Sequence, residues 1–253
     1  MSSRYALIAE YDAEGGPEIK GKDPSGNAFG PTPPGDFVIA KCAKHHDSTL
    51  YPAWSTLAWG TPIREDKGDV EYLSAKRWDS LTTLWNKKKA FEKVIHRDLF
   101  PNETVEIVKN YHDRLYASAK VPTSWVFNDF GHMTCYFFKD INHDGIFDPK
   151  TETLQSQYIH TTPKDEAIAA IHPTQAIALD KSHGCIHVKP ADIDDMIQKG
   201  YLKRGNHIVV HTFSDSAPIM NVTMGVPPYD LHFFPTEGVL QIRGLHHSSR
   251  KAH

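Results

Sequence analysis

The sequence predicts a mainly β fold with an α-helical insertion, α+β overall. Short apolar segments bounded by Gly and Pro occur towards both ends of the chain, whereas apolar residues at helical spacing fill one internal stretch. The 16 Gly and 17 Pro residues are spread along the chain, which is typical of a fold with many turns. A chain of 253 residues has room for one large domain or two small ones.

Several segments have the composition of β-strands. The first is residues 4–10, and the second, residues 36–40, follows a stiff Pro-rich turn at 31–35. Strand character returns at Ser124 and continues through the segments 124–130, 132–140, 155–162 and 207–210.

The internal stretch from about 75 to 119 has a helical pattern. Trp78, Leu81, Leu84 and Trp85 lie at positions i, i+3, i+6 and i+7, which would place them on one face of a helix. A second helix is expected after a break at Pro101. We therefore expect a helical insertion over about 72–120 within a main domain of residues 1–213, followed by a C-terminal extension of residues 214–253.

Charge and hydropathy exclude two classes of partner. The formal net charge of −3 gives no overall attraction to nucleic acid, and no run of 18 apolar residues indicates a membrane span. The first residues lack the basic and apolar segments of a secretory signal. The sequence thus predicts a protein made in the cytoplasm without a recognisable signal peptide, or a mature form whose leader has been removed.

The three cysteines are Cys42, Cys135 and Cys185. Their wide spacing, without a CxxC motif, suggests neither a zinc site nor a disulfide framework, and an odd number leaves at least one free thiol. Cys185 differs from the others because a helix with Pro190 at its start is expected shortly after it. The N-terminus of a helix favours thiolate over thiol, so a depressed thiol pKa is expected.

Residues around Cys185 have the types that nucleophilic catalysis needs. Gly184 permits close backbone approach, so its amide and that of Cys185 could bind a carbonyl oxygen as an oxyanion hole. A thiol nucleophile also needs a nearby base, for which the candidates are His160, His172, His183 and His187. From these residues alone, a nucleophile and a buried structural cysteine are equally well supported.

The motif Ser182-His183-Gly184-Cys185-Ile186, preceded by a strand that ends in Ile-His-Thr, resembles the signature of the L,D-transpeptidase (YkuD-type) family. The segment 30–39 (GPTPPGDFVI) is similar to an early Thr-Pro-x-Gly-x-Phe segment of that family, and the helix after Pro190 and the strand 207–210 also match. The resemblance covers residues 4–40 and 124–213 and implies a β-sandwich-like catalytic domain.

The resemblance also implies a role for each matching residue. Cys185 is the nucleophile, His160 is the base, and the carbonyl of Thr161 orients the imidazole of that base. His183 and Gly184 shape the thiol pocket, while Ser182 and His187 are expected on the substrate-binding side. Two departures weaken the substrate-binding assignment: residues 161–181 make a longer gap than is usual, and His187 stands where the family usually has Arg or Asn.

The implied reaction is cysteine-dependent acyl transfer on peptidoglycan stem tetrapeptides. The thiolate attacks the carbonyl of the third residue and expels the terminal D-alanine. An amine, a free D-amino acid or water then resolves the thioester, which means cross-linking, D-amino-acid exchange or L,D-carboxypeptidase activity. No cofactor is required for this chemistry.

Because the implied substrate lies in the periplasm or cell wall, the absent leader suggests leaderless secretion, for example as an antibacterial effector, with an immunity protein as partner. The alternative function is a non-catalytic cell-wall-binding or interaction module that retains the fold.

A separate segment has the spacing of a calcium loop. Carboxylate and amide oxygens of Asp140, Asn142, Asp144 and Asp148, with the Ile146 carbonyl, fall at the positions that hard cations prefer. We expect a structural Ca²⁺ here, and the alternative is a polar Asp-Gly turn without an ion.

Overall fold

A computed structural model describes residues 5–24, 26–47, 49 and 51–246 of the chain. The chain divides into two compact units. The first, here called the sheet unit, comprises Met1–Cys42, Cys135–His160 and Ala178–His253. The second, here called the inserted unit, comprises Ala43–Thr134 and Thr161–Ile177.

The described residues form more strand than helix, which confirms the mainly β, α+β prediction. In chain order the strands are β1 (Tyr5–Glu14), β2 (Gly21–Lys22), β3 (Ala28–Phe29), β4 (Gly35–Ala43), β5 (Ile63–Asp66), β6 (Asp69–Ser74), β7 (Arg77–Ser80), β8 (Thr134–Phe138), β9 (Leu154–His160), β10 (Ile186–Val188), β11 (His207–Val210), β12 (Gly225–Phe234) and β13 (Val239–His246). The helices are α1 (Leu81–Lys87), α2 (Glu92–Ile95), α3 (Pro101–Tyr116), α4 (Pro163–Ile171) and α5 (Pro190–Gln198).

Eight strands of the sheet unit form one closed sheet in the order β1-β10-β9-β8-β4-β11-β12-β13. β1 is antiparallel to β10 and β13, β4 to β11, and β12 to β13, whereas β10 runs parallel to β9 and β11 runs parallel to β12. Alternate positions along a strand point to opposite faces of a sheet. Burial follows that alternation in β11, where Ile208 and Val210 are buried, whereas residues 37–40 of β4 are buried in succession.

Helix α5 forms as predicted, with Pro190 at its first position and Gly200 in a positive-φ conformation just after its end. Its buried face consists of Pro190, Ile193 and Met196. The Tyr11 hydroxyl on β1 donates to the Asp195 carboxylate over 2.6 Å, so the helix is tied to the strand that lies beside β10.

A disulfide joins Cys42 on β4 to Cys135 on β8, the neighbouring strand of the closed sheet. The expectation that the cysteines form no disulfide is therefore wrong. The two residues are 93 positions apart in sequence, so their pairing depends on a strand adjacency that cysteine spacing does not reveal. Cys185 is the free cysteine.

The segment from residue 214 onwards contributes to the closed sheet. Strands β12 and β13 lie between β11 and β1 and complete the sheet, so residues 225–246 are an integral part of the sheet unit. The last residues of the expected extension, 247–253, lie outside the described part of the chain.

Within the inserted unit, a small antiparallel sheet, β5-β6-β7, precedes the helices. The helical pattern was expected to start near Ala75, which is wrong: Ala75 and Lys76 both have positive φ and form the turn that pairs Ser74 with Arg77. The helix starts at Leu81, capped by the Ser80 side chain, which accepts from the backbone of Thr83. Pro101 starts α3 and does not break a longer helix.

The segment 124–130 was expected to be a strand but forms only an isolated bridge between Ser124 and Pro62. Its apolar residues have another role, because Trp125 and Phe127 are fully buried in the core of the inserted unit. That core is largely aromatic, and Trp54 contacts the rings of Trp85, Phe91, Tyr111, Trp125 and Phe127. Nowhere in the described residues is a helix both long and apolar enough to cross a membrane.

Candidate functional site

Cys185 immediately precedes β10, and strand pairing fixes its position. Ile186 on β10 pairs in parallel with Ile159 on β9, so Cys185 lies beside Tyr158. The backbone of Tyr158 forms a hydrogen bond with the thiol. The cysteine is therefore held at the start of a strand, and helix α5 begins only after that strand ends.

Burial raises the pKa of the Cys185 thiol to about 11, and the hydrogen bond from the Tyr158 backbone only partly opposes this effect. The expected depression of the thiol pKa is therefore wrong. The physical reason is the position of β10: a helix N-terminus acts mainly within its first turn, and residues 186–188 separate the thiol from α5. At neutral pH this thiol is protonated, so a base must remove its proton during any nucleophilic attack.

The turn before Cys185 is held by hydrogen bonds. The Ser182 hydroxyl donates to the Cys185 carbonyl over 2.6 Å, and the Gly184 amide donates to the Ser182 hydroxyl oxygen over 2.9 Å. Thr32 also donates to the Cys185 carbonyl, over 3.3 Å. Ser182 thus supports the turn, while the Gly184 amide, expected in an oxyanion hole, is engaged within it.

Gly184 has a φ of 130°, a conformation that L side chains rarely adopt. A Cβ at this position would lie 3.5 Å from the Gln157 side chain and 3.8 Å from the Gly30 carbonyl oxygen. Glycine is therefore required here by backbone conformation, and contact with its neighbours would be ordinary.

His160 ends β9 and is buried. In the parallel register it is paired with His187, whose ring lies edge-on to the His160 ring with centroids 4.8 Å apart. The Nδ1–H of His187 donates to the Asp180 carbonyl oxygen over 2.8 Å, and burial lowers the His187 pKa. His187 therefore packs its ring against His160 at the position where the family usually has Arg or Asn.

His183 lies on the other side of Gly184. Its Nε2 is 3.1 Å from the Asp23 carboxylate, and its ring is edge-on to Phe29 at 6.3 Å. Asp23, Thr32, Tyr158 and Asp180 were not identified by sequence reasoning. Asp23 lies in a Gly/Pro-rich segment that the sequence marks only as a turn, and no motif spacing connects it to the cysteine.

Two residues that the sequence singled out, Thr161 and His172, lie in the inserted unit. Thr161 is buried, and its hydroxyl donates to Glu166, which also accepts from the His132 amide over 3.1 Å. The expected role of the Thr161 carbonyl stays a prediction. His172 is the residue that follows the last turn of α4, outside the unit that contains Cys185.

In the predicted calcium loop, the side-chain oxygens accept hydrogen bonds from the backbone amides of the loop itself. Asp140 accepts from the Gly145 amide over 2.8 Å, and Asp144 accepts from the Ile146 amide over 2.7 Å. The Asn142 side chain accepts from the Asp144 amide, and Asp148 accepts from the Lys150 amide. Among the described residues, no group of three or more His, Cys, Asp or Glu side chains is arranged to hold a metal ion. Calcium binding stays a prediction.

The fold and site together define a mainly β protein with a free cysteine held by a serine-glycine turn beside a histidine-bearing strand. The sequence model of the YkuD L,D-transpeptidase catalytic domain matches residues 15–210. The chain therefore belongs to the family of L,D-transpeptidase catalytic domains, whose general activity is transpeptidation on peptidoglycan. No curated protein and no solved structure shows significant similarity to the chain.

Proposed function

We propose that the protein is a cysteine-dependent acyltransferase that acts on peptidoglycan stem tetrapeptides, with Cys185 as nucleophile and His160 as base. The observation that supports this best is the arrangement at β10. The free thiol of Cys185 precedes β10, and His160 ends the parallel neighbour β9, within the segment that matches the family.

The proposed reaction has two halves. In the first, His160 takes the thiol proton as sulfur attacks the carbonyl carbon of the third stem residue, which forms a tetrahedral oxyanion. The carbon–nitrogen bond then breaks, the imidazolium returns the proton to the leaving amine, and D-alanine departs with a thioester left on Cys185. In the second half, His160 takes a proton from an incoming amine, D-amino acid or water as it attacks the thioester carbonyl; the carbon–sulfur bond then breaks, and the imidazolium returns that proton to the sulfur to restore the thiol.

Because the pKa of the Cys185 thiol is about 11 before substrate binds, the base must remove the thiol proton. Because almost no thiolate exists at pH 7, proton transfer must accompany attack, and loss of the base should reduce turnover strongly. General bases contribute about 10²–10⁴-fold to such reactions.

We further propose that the protein acts in the periplasm or cell wall. The Cys42–Cys135 disulfide supports this location, because disulfides persist mainly in oxidising compartments. Action as a secreted antibacterial effector, with an immunity protein as partner, extends the same proposal. Growth of bacteria that express the chain with and without a periplasmic leader tests it: we expect inhibition only with the leader, and equal growth would contradict the effector role.

Incubation with disaccharide tetrapeptides followed by mass spectrometry tests the reaction. We expect the wild type to release D-alanine and to form a thioester adduct, Cys185→Ala to do neither, and His160→Gln to be slower by about 10²–10³-fold. His172→Gln tests the alternative candidate base and should retain wild-type turnover if His160 is the base. A wild type that binds the peptide without turnover or adduct would establish the non-catalytic wall-binding alternative.

The pH dependence of thiol alkylation tests the resting state separately. Since the folded thiol has a raised pKa, the thiolate fraction should increase about tenfold per pH unit from pH 7 towards 11. Iodoacetamide labelling of Cys185 without substrate should follow that increase. A labelling rate that levels off below pH 8 would show an activated thiolate and contradict the proposed coupling of proton transfer to attack.

A further inference from the structure

The β2–β3 hairpin presents one carboxylate to the cysteine loop. The Asp23 Oδ2 atom is 3.1 Å from Nε2 of His183, although the two residues are 160 positions apart in sequence. His183 immediately precedes the Gly184-Cys185 dipeptide. The contact therefore joins the hairpin directly to the loop that carries the candidate nucleophile.

The turn of the hairpin fixes the direction of this carboxylate. Asp23 Oδ1 accepts from the Asn27 amide over 2.8 Å, and Oδ2 accepts from the Asn27 side chain over 3.0 Å. The backbone N–H of Asp23 also donates a hydrogen bond to the Asn27 carbonyl oxygen over 2.9 Å. The carboxylate thus has little rotational freedom, which is the condition for orienting another side chain.

A contribution to stability does not explain this pair. The Asp23 and His183 side chains are 23% and 42% exposed, and exposed ion pairs contribute about 0–1 kcal/mol. The hairpin itself is short, with two residues in each strand. An effect of Asp23 should therefore appear in the reaction and only weakly in the free energy of unfolding.

We propose that Asp23 is a positioning residue for the acyl transfer: it holds the His183 imidazole beside Cys185 by accepting a hydrogen bond from Nε2–H. This inference rests on the proposed function. In the Nε2–H tautomer that this contact selects, the other ring nitrogen, Nδ1, carries the lone pair. That nitrogen is the acceptor for a backbone N–H of the stem peptide, so the hairpin takes part in aligning the peptide with the thiol.

Steady-state kinetics of Asp23→Ala, Asp23→Asn and His183→Gln on disaccharide tetrapeptides test the proposal. We expect kcat/KM to fall about tenfold in Asp23→Ala, a loss typical of a misaligned but intact site. Asp23→Asn should recover only part of this loss, because its single amide oxygen can accept either from His183 Nε2–H or from the Asn27 amide, but not from both. The double variant Asp23→Ala/His183→Gln should be no slower than His183→Gln alone, since Asp23 acts through His183.

Asp215→Ala is the matched control. Asp215 also accepts a hydrogen bond within its own turn, from the Thr212 amide over 2.9 Å, and it also faces a histidine, His211, at 3.8 Å. Its removal should leave kcat/KM unchanged. Equal kcat/KM for Asp23→Ala and the wild type, or additive losses in the double variant, would overturn the positioning role.

Nitrogen NMR of the histidine rings separates this proposal from the reaction itself. The wild type should show His183 as the Nε2–H tautomer, and Asp23→Ala should show a mixture of tautomers. If the wild type leaves the tetrapeptides untouched, the proposed function fails, and the tautomer spectra still decide the positioning claim. Identical His183 spectra in wild type and Asp23→Ala would overturn it.

Discussion

The sheet unit and the inserted unit are built on different principles. In the sheet unit the candidate reactive groups sit at strand ends, and hydrogen bonds fix them, such as those that Ser182 makes around Cys185. In the inserted unit the core is a cluster of indole and phenyl rings around Trp54 and Trp85. The two units therefore differ in the sequence pattern that predicts them. The spacing of a motif identifies the polar groups of the site, whereas apolar periodicity identifies the residues that are buried.

Removing the centre of the aromatic cluster should have the largest effect on stability. Trp85 is fully buried, and its indole N–H donates to the Ala53 carbonyl over 2.8 Å. Trp85→Ala should lower the free energy of unfolding by about 3–5 kcal/mol, because a large buried ring is replaced by a cavity. Urea unfolding followed by far-UV circular dichroism measures this change.

Trp85→Phe is the control for the ring itself. It keeps an aromatic ring but leaves the Ala53 carbonyl without its indole donor, which should cost about 1–3 kcal/mol. If Trp85→Ala costs no more than Trp85→Phe, the aromatic packing is not what stabilises the inserted unit, and the contrast between the two units fails.

The disulfide gives the second prediction: its two cysteines belong to the sheet unit, and the loop that it closes, residues 43–134, makes up most of the inserted unit. The sequence places no cysteine in the inserted unit. Reduction of the wild type should lower the unfolding free energy by about 2–4 kcal/mol, since the cross-link constrains the unfolded chain.

The double variant Cys42→Ala/Cys135→Ala should match the reduced wild type in urea, and adding dithiothreitol should change it no further. Unchanged unfolding of the wild type on reduction would show that strand pairing alone holds β4 to β8. Tryptophan fluorescence should be measured alongside, because all five tryptophans lie in the inserted unit and report on its unfolding.

Much of the sheet unit could be predicted from sequence. The strand 207–210 and the helix after Pro190 have local signals that agree with their final environment. The closure of the sheet could not, because β13 must pair with β1 from the opposite end of the chain. Such long-range pairing leaves no mark in local periodicity.

The candidate site also has a part that the sequence predicted and a part that it did not. Cys185 and His160 belong to a recognisable motif, and the parallel pairing of β9 and β10 brings their strands together. Asp23 belongs to no motif and reaches His183 only through the folded hairpin. The thiol pKa was mispredicted because three strand residues intervene before α5, and sequence alone did not separate that short strand from the helix that follows.

In the calcium loop, backbone amides and a cation would compete for the same side-chain oxygens, and this loop carries the smallest expected effect. The backbone amides of the loop already occupy several of the oxygens that a cation would need. Yet one carboxylate oxygen of Asp140, Oδ1, is buried and has no hydrogen-bond partner among the described residues, which favours a cation.

A site with a dissociation constant of about 1 mM, in the range of extracellular modules, would stabilise the fold by about 1.4 kcal/mol at about 10 mM Ca²⁺. Thermal unfolding in Ca²⁺, in Mg²⁺ and in a chelator measures this, with Asp144→Ala as the variant that should lose the response. Mg²⁺ should do less than Ca²⁺, because it loses its bound waters reluctantly and demands a stricter geometry. Identical unfolding temperatures in Ca²⁺ and in chelator would mean that the backbone amides keep the loop oxygens, and that the segment is a polar Asp-Gly turn without an ion.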